Sequence, residues 1–284
     1  MSLRIGITCL LLFFCCSSTA VKAAPQPYIV SIQVAPPQGG DYFIDLLNLI
    51  LNASKAPEEV IVFHFGDKQL SQARWIMAVT QDTGNNILWV MTNQLRENNL
   101  RAIRAPLLRG LMGYRALVIR KDDEEKFKHI KTLQDLLDLK AGQGMHWPDT
   151  DILRANQFQT VEAIEKKNLY KMLAANRFDF FPRSITELYL EEDFIRDQNL
   201  MVEPRLLLHY PAELYFFVNK KNTELADRLE KGWAIIQKNG EFEKFFLSAE
   251  RVQLALEILK HEHIVIELQN PFLSPETSAL LSHD

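Results

Sequence analysis

The chain has 284 residues, 47% of them hydrophobic and 24% charged, with a formal net charge of −4. That is enough apolar material for one large or two ordinary domains, and a mildly acidic chain has no overall attraction for nucleic acid or an anionic membrane. All three cysteines, Cys9, Cys15 and Cys16, fall near the N-terminus, so the rest of the chain has no disulfide and no thiolate nucleophile.

The first residues read as a secretory signal peptide. Arg4 precedes an apolar run from Ile5 to Cys16, and Val21 and Ala23 supply a small-residue cleavage pair, so residues 1-23 form the expected leader. The run is shorter than the roughly 20 apolar residues of a membrane-spanning helix. Phe13 and Phe14 stand where a lipidation site needs small residues. Removing Arg4 and Lys22 with the leader takes the net charge from −4 to −6. The expected compartment is the periplasm, and the expected state a monomer.

Short apolar strands then alternate with helical patterns, which argues for an α/β fold. "YIVSIQV" reads as a strand. Beyond the Gly39-Gly40 turn, Phe43, Leu46, Leu47 and Ile50 recur at helical spacing. "EVIVFHF", "KQLSQARWIMAVT" and "NILWVMT" continue as strand, helix and strand. "GYRALVIRKDD" is a strong strand that sets Ala116 and Val118 against Arg115, Leu117 and Ile119 on opposite faces, and Thr132 is a candidate helix N-cap. "LMVEPRLLLHYPAELYFFVNK" holds two strands broken near Pro211. The remainder is helical until "IVIEL" and a polar tail. Changes of unit near 114 and 212 predict two lobes, 24-113 plus 213-284 and 114-212, joined by two hinge crossings. A cleft between lobes is a common place for a ligand.

Four segments taken in order resemble the bacterial extracellular solute-binding proteins of family 3, which have the type 2 periplasmic-binding-protein fold. They are "TNQLRENNLRAIRAPLLRGLMGYRALVIRKDD", "IKTLQDLLDLKAGQG", "LYKMLAANRFDFFPRSITEL" and "PAELYFFVNKKNTELADRLEKGWAIIQKNGEFEKFF". The resemblance implies two α/β lobes that close on a small solute without altering it, for an ABC-type transporter in an inner-membrane permease system. A stand-alone sensor or a protein-interaction module on the same fold is the alternative.

The resemblance also implies site residues. An arginine following a threonine pairs with the ligand carboxylate in amino-acid binders. Arg96 takes that role here, with Thr92 one residue farther away than in the common pattern. A guanidinium suits the task because it donates two parallel hydrogen bonds. The acid that receives a ligand amine belongs near Arg183 and Ser184, where no carboxylate stands. Two arginines, Arg96 and Arg183, therefore favour an anionic or doubly acidic solute.

"GQGMHWPDTDIL" has three readings. Its glycines fall short of a phosphate-binding motif, and His146, Asp149 and Asp151 lack a second histidine or a cysteine for a metal. The third reading has Asp149 or Thr150 capping the following helix, with the helix start and Trp147 forming a cleft wall, or else an ordinary cap beside a buried tryptophan. Tyr42 is open to stacking on a ligand or to core packing. Arg183 is open to ligand binding or to a salt bridge with Glu187. The arginines Arg101, Arg104, Arg109 and Arg115 read as a solvated face with hinge salt bridges rather than a nucleic-acid surface. "HEH" at His261 to His263 offers too few ligands for a metal. Without G-x-S-x-G, H-E-x-x-H or a reactive cysteine, the chain is expected to be no enzyme and to need no cofactor.

Overall fold

The computed structural model describes residues 28–34, 42–66, 71–81 and 86–281. The expected leader, its expected cleavage pair and the expected turn at Gly39-Gly40 lie outside them. The first lobe begins with β1 (Tyr28–Val34), α1 (Tyr42–Ser54), β2 (Glu59–Phe65), α2 (Gln72–Gln81), β3 (Asn86–Met91), α3 (Gln94–Asn99) and β4 (Leu100–Ile103). The second contains β5 (Tyr114–Arg120), α4 (Glu124–Phe127), α5 (Leu133–Leu137), β6 (Lys140–Gly144), α6 (Pro148–Ala155), β7 (Gln159–Ala163), α7 (Lys166–Ala174), β8 (Phe180–Ser184), α8 (Glu192–Asp197) and β9 (Leu200–His209). The chain then returns through β10 (Leu214–Asn219), α9 (Thr223–Lys238), α10 (Glu241–Ser248) and α11 (Glu250–Lys260), and ends with β11 (Ile264–Glu267) and α12 (Pro275–Leu281).

Two sheets carry the lobes. The first has the order β2-β1-β3-β10-β4, the second β11-β9-β5-β8-β6-β7. In the first, β1 runs parallel to β2 and β3, while β10 enters antiparallel between β3 and β4. Every residue of β3 and β10 is buried, which is why "ILWVM" and "LYFFV" read as continuous apolar runs: the centre of a sheet covered on both faces has no solvent side.

The helices supply the covering layers. On α1, Phe43, Leu46, Leu47 and Ile50 are all buried, the apolar stripe that the spacing predicts. α9 packs on α1 at close range: a Cβ on Gly232 would lie 2.1 Å from the Ile50 carbonyl oxygen. Thr132 caps α5, its hydroxyl accepting from the Asp135 amide, with Asp135 closing a capping box.

One part of the expected lobe division is corrected. β11, placed by sequence in the first lobe, pairs in parallel with β9 at the edge of the second sheet. The chain then crosses back to the first lobe, where the Gln94 amide donates to the Phe272 carbonyl at 2.8 Å and Ser274 and Thr277 donate to Glu97. The lobes are therefore joined by more than the two expected crossings. Edge pairing needs only a few apolar residues on a short strand, so "IVIEL" gave no sign of which sheet it would extend.

Candidate functional site

A cavity of about 770 Å³ lies between the lobes. Gln72, Trp75, Trp89 and Met91 line it from the first lobe, and Trp147, Asp149, Arg183 and Glu187 from the second. The volume falls in the range of small-molecule pockets.

Arg96 sits behind the first-lobe wall. It is buried in α3, whose N-cap Asn93 accepts from the Arg96 amide. Its Nη1 donates to the Met91 carbonyl at 2.6 Å, and its Nη2 to Gln72 Oε1 at 2.7 Å and across the cleft to the His146 carbonyl at 3.4 Å. These acceptors are all uncharged. Among the described residues no carboxylate lies within ion-pair distance of Arg96. Burial lowers its pKa to about 10, opposed in part by the charge of Asp149.

The acid next to Arg96 in the chain, Glu97, does not pair with it. That carboxylate is taken by Thr92, Arg104, Ser274 and Thr277. Burial raises the Glu97 pKa, but the hydrogen bonds from Thr92, Thr277 and Ser274 and the Arg104 charge outweigh it and hold the group below its ordinary value. Thr92 thus spends its hydroxyl on Glu97, at 2.6 Å, and is not part of the cavity wall.

In the second lobe, Arg183 is paired with two acids. Its Nε and Nη2 donate to both oxygens of Glu191 at 2.8 Å, and Nη2 also reaches Glu187 at 2.7 Å. Lys166 and the Tyr170 hydroxyl bind Glu191 too. Burial pulls the Arg183 guanidinium down and Glu187 and Glu191 more than offset it, leaving it well above its ordinary value. Burial likewise raises Glu191, yet Arg183 and Lys166 bring it to about 2. Arg183 makes the salt bridge with Glu187 that the spacing suggested and adds Glu191, eight residues on, as a further partner, while still lining the cavity. The guanidinium also lies 5.2 Å from the Trp147 ring centre and 5.0 Å from that of Phe181.

The glycine-tryptophan loop resolves differently from its capping reading. Pro148 takes the first helical position, where its fixed φ and missing N–H fit, so Trp147 becomes the N-cap and no side chain caps α6. Asp149 falls inside the first turn and pairs with Arg115 at 2.8 Å. Thr150 donates to the Gly144 carbonyl. Gly144 is small because the Trp147 ring lies on it, 2.2 Å from where a Cβ would be. No metal-holding group of three His, Cys, Asp or Glu is found among the described residues.

Tyr42 and Ser184 do not line this cavity. The Tyr42 hydroxyl donates to the Leu107 carbonyl at 2.7 Å, and its ring packs on Phe43 and Phe245 and beneath Arg251. Ser184 is buried against Thr186. Of the sequence candidates, Trp147, Asp149 and Arg183 come together on the wall with Arg96 behind it. Sequence reasoning missed Gln72, Trp75, Arg115, Tyr210 and Glu191. Arg115 carried a signal: it shares a strand face with Leu117 and Ile119, so it is fully buried rather than solvated and needs a counter-charge.

No protein-family model matches the chain, and no curated protein matches it. Solved structures do. An ancestral arginine-binding protein bound to arginine superposes with a TM-score of 0.56 at 15% identity, covering 76% of this chain and 96% of that one. The fold is that of the type 2 periplasmic-binding proteins. A histidine kinase sensor domain similar to periplasmic binding proteins gives 0.55 at 18% identity, over 76% of this chain and 93% of that one. The amino acid ABC transporter substrate-binding protein AbpA from Streptococcus pneumoniae, bound to L-arginine, gives 0.56 at 14%, over 82% and 97%. The periplasmic-binding fold thus serves both transport and sensing among its solved relatives.

Proposed function

We propose that this chain is an exported, non-catalytic solute-binding protein that captures a small carboxylate-bearing solute between its lobes by hinge closure. The observation that carries this is the interlobe cavity, with Arg96 behind its wall as a buried cation that, among the described residues, is bonded only to neutral oxygens. A ligand that contacts both lobes only when they are closed shifts the population toward the closed form.

A doubly acidic solute loses its second cation, because Arg183 is held by Glu187 and Glu191. One carboxylate and an apolar portion against Trp75, Trp89 and Trp147 fit better. The leader reading and the relatives of the fold support a periplasmic location and delivery of the solute to an inner-membrane permease. A thermal-shift screen of the purified protein against the twenty amino acids, succinate and 2-oxoglutarate tests the reading. A bound solute at about 100 times its dissociation constant stabilises by about 2.7 kcal/mol, which raises the midpoint by several degrees. No shift from any of these carboxylates would count against it.

A further inference from the structure

The opening turn of α2 sets two polar groups on the cleft wall in a way the rest of the site does not explain. Gln72 and Trp75 stand three residues apart, which places them on one helical face, and both line the cavity. Gln72 Oε1 accepts from Arg96 Nη2 at 2.7 Å. Trp75 is 8% exposed. Its ring lies on Gly66, where a Cβ would come within 1.7 Å of the indole. The Trp75 Nε1–H is buried and has no acceptor among the described residues.

Native proteins leave few buried donors unpaired, and each one calls for an explanation. Trp75 is a wall residue of a ligand-sized cavity, and an acceptor that arrives with a ligand would satisfy its N–H. Gln72 needs an explanation of a different kind. A guanidinium binds a carboxylate more strongly than it binds a neutral amide oxygen, through shorter, charge-assisted bonds. The Gln72 amide is thus a weak occupant of a place where a carboxylate would be a strong one.

We propose that Gln72 and Trp75 complete a carboxylate subsite with Arg96: Gln72 is a neutral placeholder on Arg96 Nη2 that a solute carboxylate displaces, and Trp75 Nε1–H donates to that carboxylate. This rests on the solute-binding role proposed above. It adds a selectivity that Arg96 alone would not give. The carboxamide analogue of a bound acid competes with Gln72 on equal terms and binds poorly, whereas the acid wins.

The test uses calorimetry on the purified protein with whichever of the twenty amino acids, succinate or 2-oxoglutarate raises its midpoint most. Q72E puts a permanent carboxylate on Arg96 and is expected to weaken binding by at least about tenfold. Q72A removes the competitor and is expected to leave binding as tight or tighter. Opposite directions for two substitutions at one position are not the result of a merely structural role. The ¹⁵N-¹H indole resonance of Trp75 in the wild-type protein, assigned by its loss in W75F, is expected to shift as the solute saturates. This readout stands even if W75F itself folds poorly.

If the solute binds while Q72E and Q72A change affinity in the same direction, or while the Trp75 indole resonance stays in place, the subsite is overturned and the solute-binding role stands. If none of these compounds binds the wild-type protein, the solute-binding role and the subsite fall together.

Discussion

Arg115 Nη2 and Asp149 Oδ1 meet at 2.8 Å where the chain first enters the second lobe, tying β5 to the opening turn of α6. The Tyr210 hydroxyl joins them, donating to Asp149 at 2.6 Å and accepting from Arg115 Nε at 2.8 Å. Tyr210 lies just past β9, on the crossing that leads back to the first lobe. One buried triad therefore fixes both hinge strands against the cleft wall.

Asp149→Asn leaves Arg115 buried with its charge unmatched, and breaking such a pair from one side costs about 3–5 kcal/mol. We expect a loss of that order in urea unfolding at neutral pH. The double change Arg115→Met with Asp149→Leu removes both charges and is expected to lie much closer to wild type. A single variant as stable as wild type would show that the pair does not hold the hinge.

Glu191 sets a pH dependence. Its folded pKa is brought to about 2 by Arg183 and Lys166 against the opposing effect of burial. A depressed carboxylate contributes stability that is complete above its unfolded pKa, near 4.5, and is lost as pH falls toward the folded value. The thermal midpoint of the wild-type protein is expected to fall steeply below about pH 4.5. Glu191→Gln is expected to be less stable at neutral pH and to show a shallower acid limb. Parallel acid limbs for the two proteins would contradict the assignment.

The two lobes were legible in the chain because their signals are local. Alternating strands and helices, the Phe43-to-Ile50 stripe and the Thr132 cap each act within a few residues. The site was only partly legible, because its partners are brought together by the fold. Arg183 bonds Glu191 across a turn that no spacing rule singles out. Arg115 finds Asp149 from another element, and Gln72 reaches Arg96 from another helix. Asp149 read as a cap because a short acid before a helix usually is one, and the proline beside it moved the helix start. The C-terminal crossing was hidden for a related reason. Ser274 and Thr277 look like tail residues, and only the buried Glu97 turns their hydroxyls into anchors.

Gly144→Ala tests the close approach of the Trp147 ring. The new methyl would meet the indole, and overpacking of this kind costs about 1–3 kcal/mol. The ring is expected to move off Arg183, which tryptophan fluorescence would register as a changed emission maximum. An unchanged spectrum with unchanged stability would show that the loop gives way freely.

Thr277→Val with Ser274→Ala removes two hydroxyl donors from Glu97. Hydrogen bonds to a charged group contribute about 1.5–3 kcal/mol each, so the returning tail is expected to loosen. Hydrogen exchange in residues 270–281 should accelerate well before global unfolding. Exchange unchanged from wild type would mean that the tail is held by other contacts.

The central claim is closure of the two lobes over a solute. All three cysteines lie at residues 9, 15 and 16, so in protein expressed from residue 24 onward Met77→Cys on α2 and Arg196→Cys on α8, both exposed, place one dye on each lobe. Energy transfer between these dyes is the most direct measurement. On saturation with a compound that raises the thermal midpoint, the account predicts a rise in transfer efficiency as the lobes approach. Unchanged efficiency at saturation would contradict it.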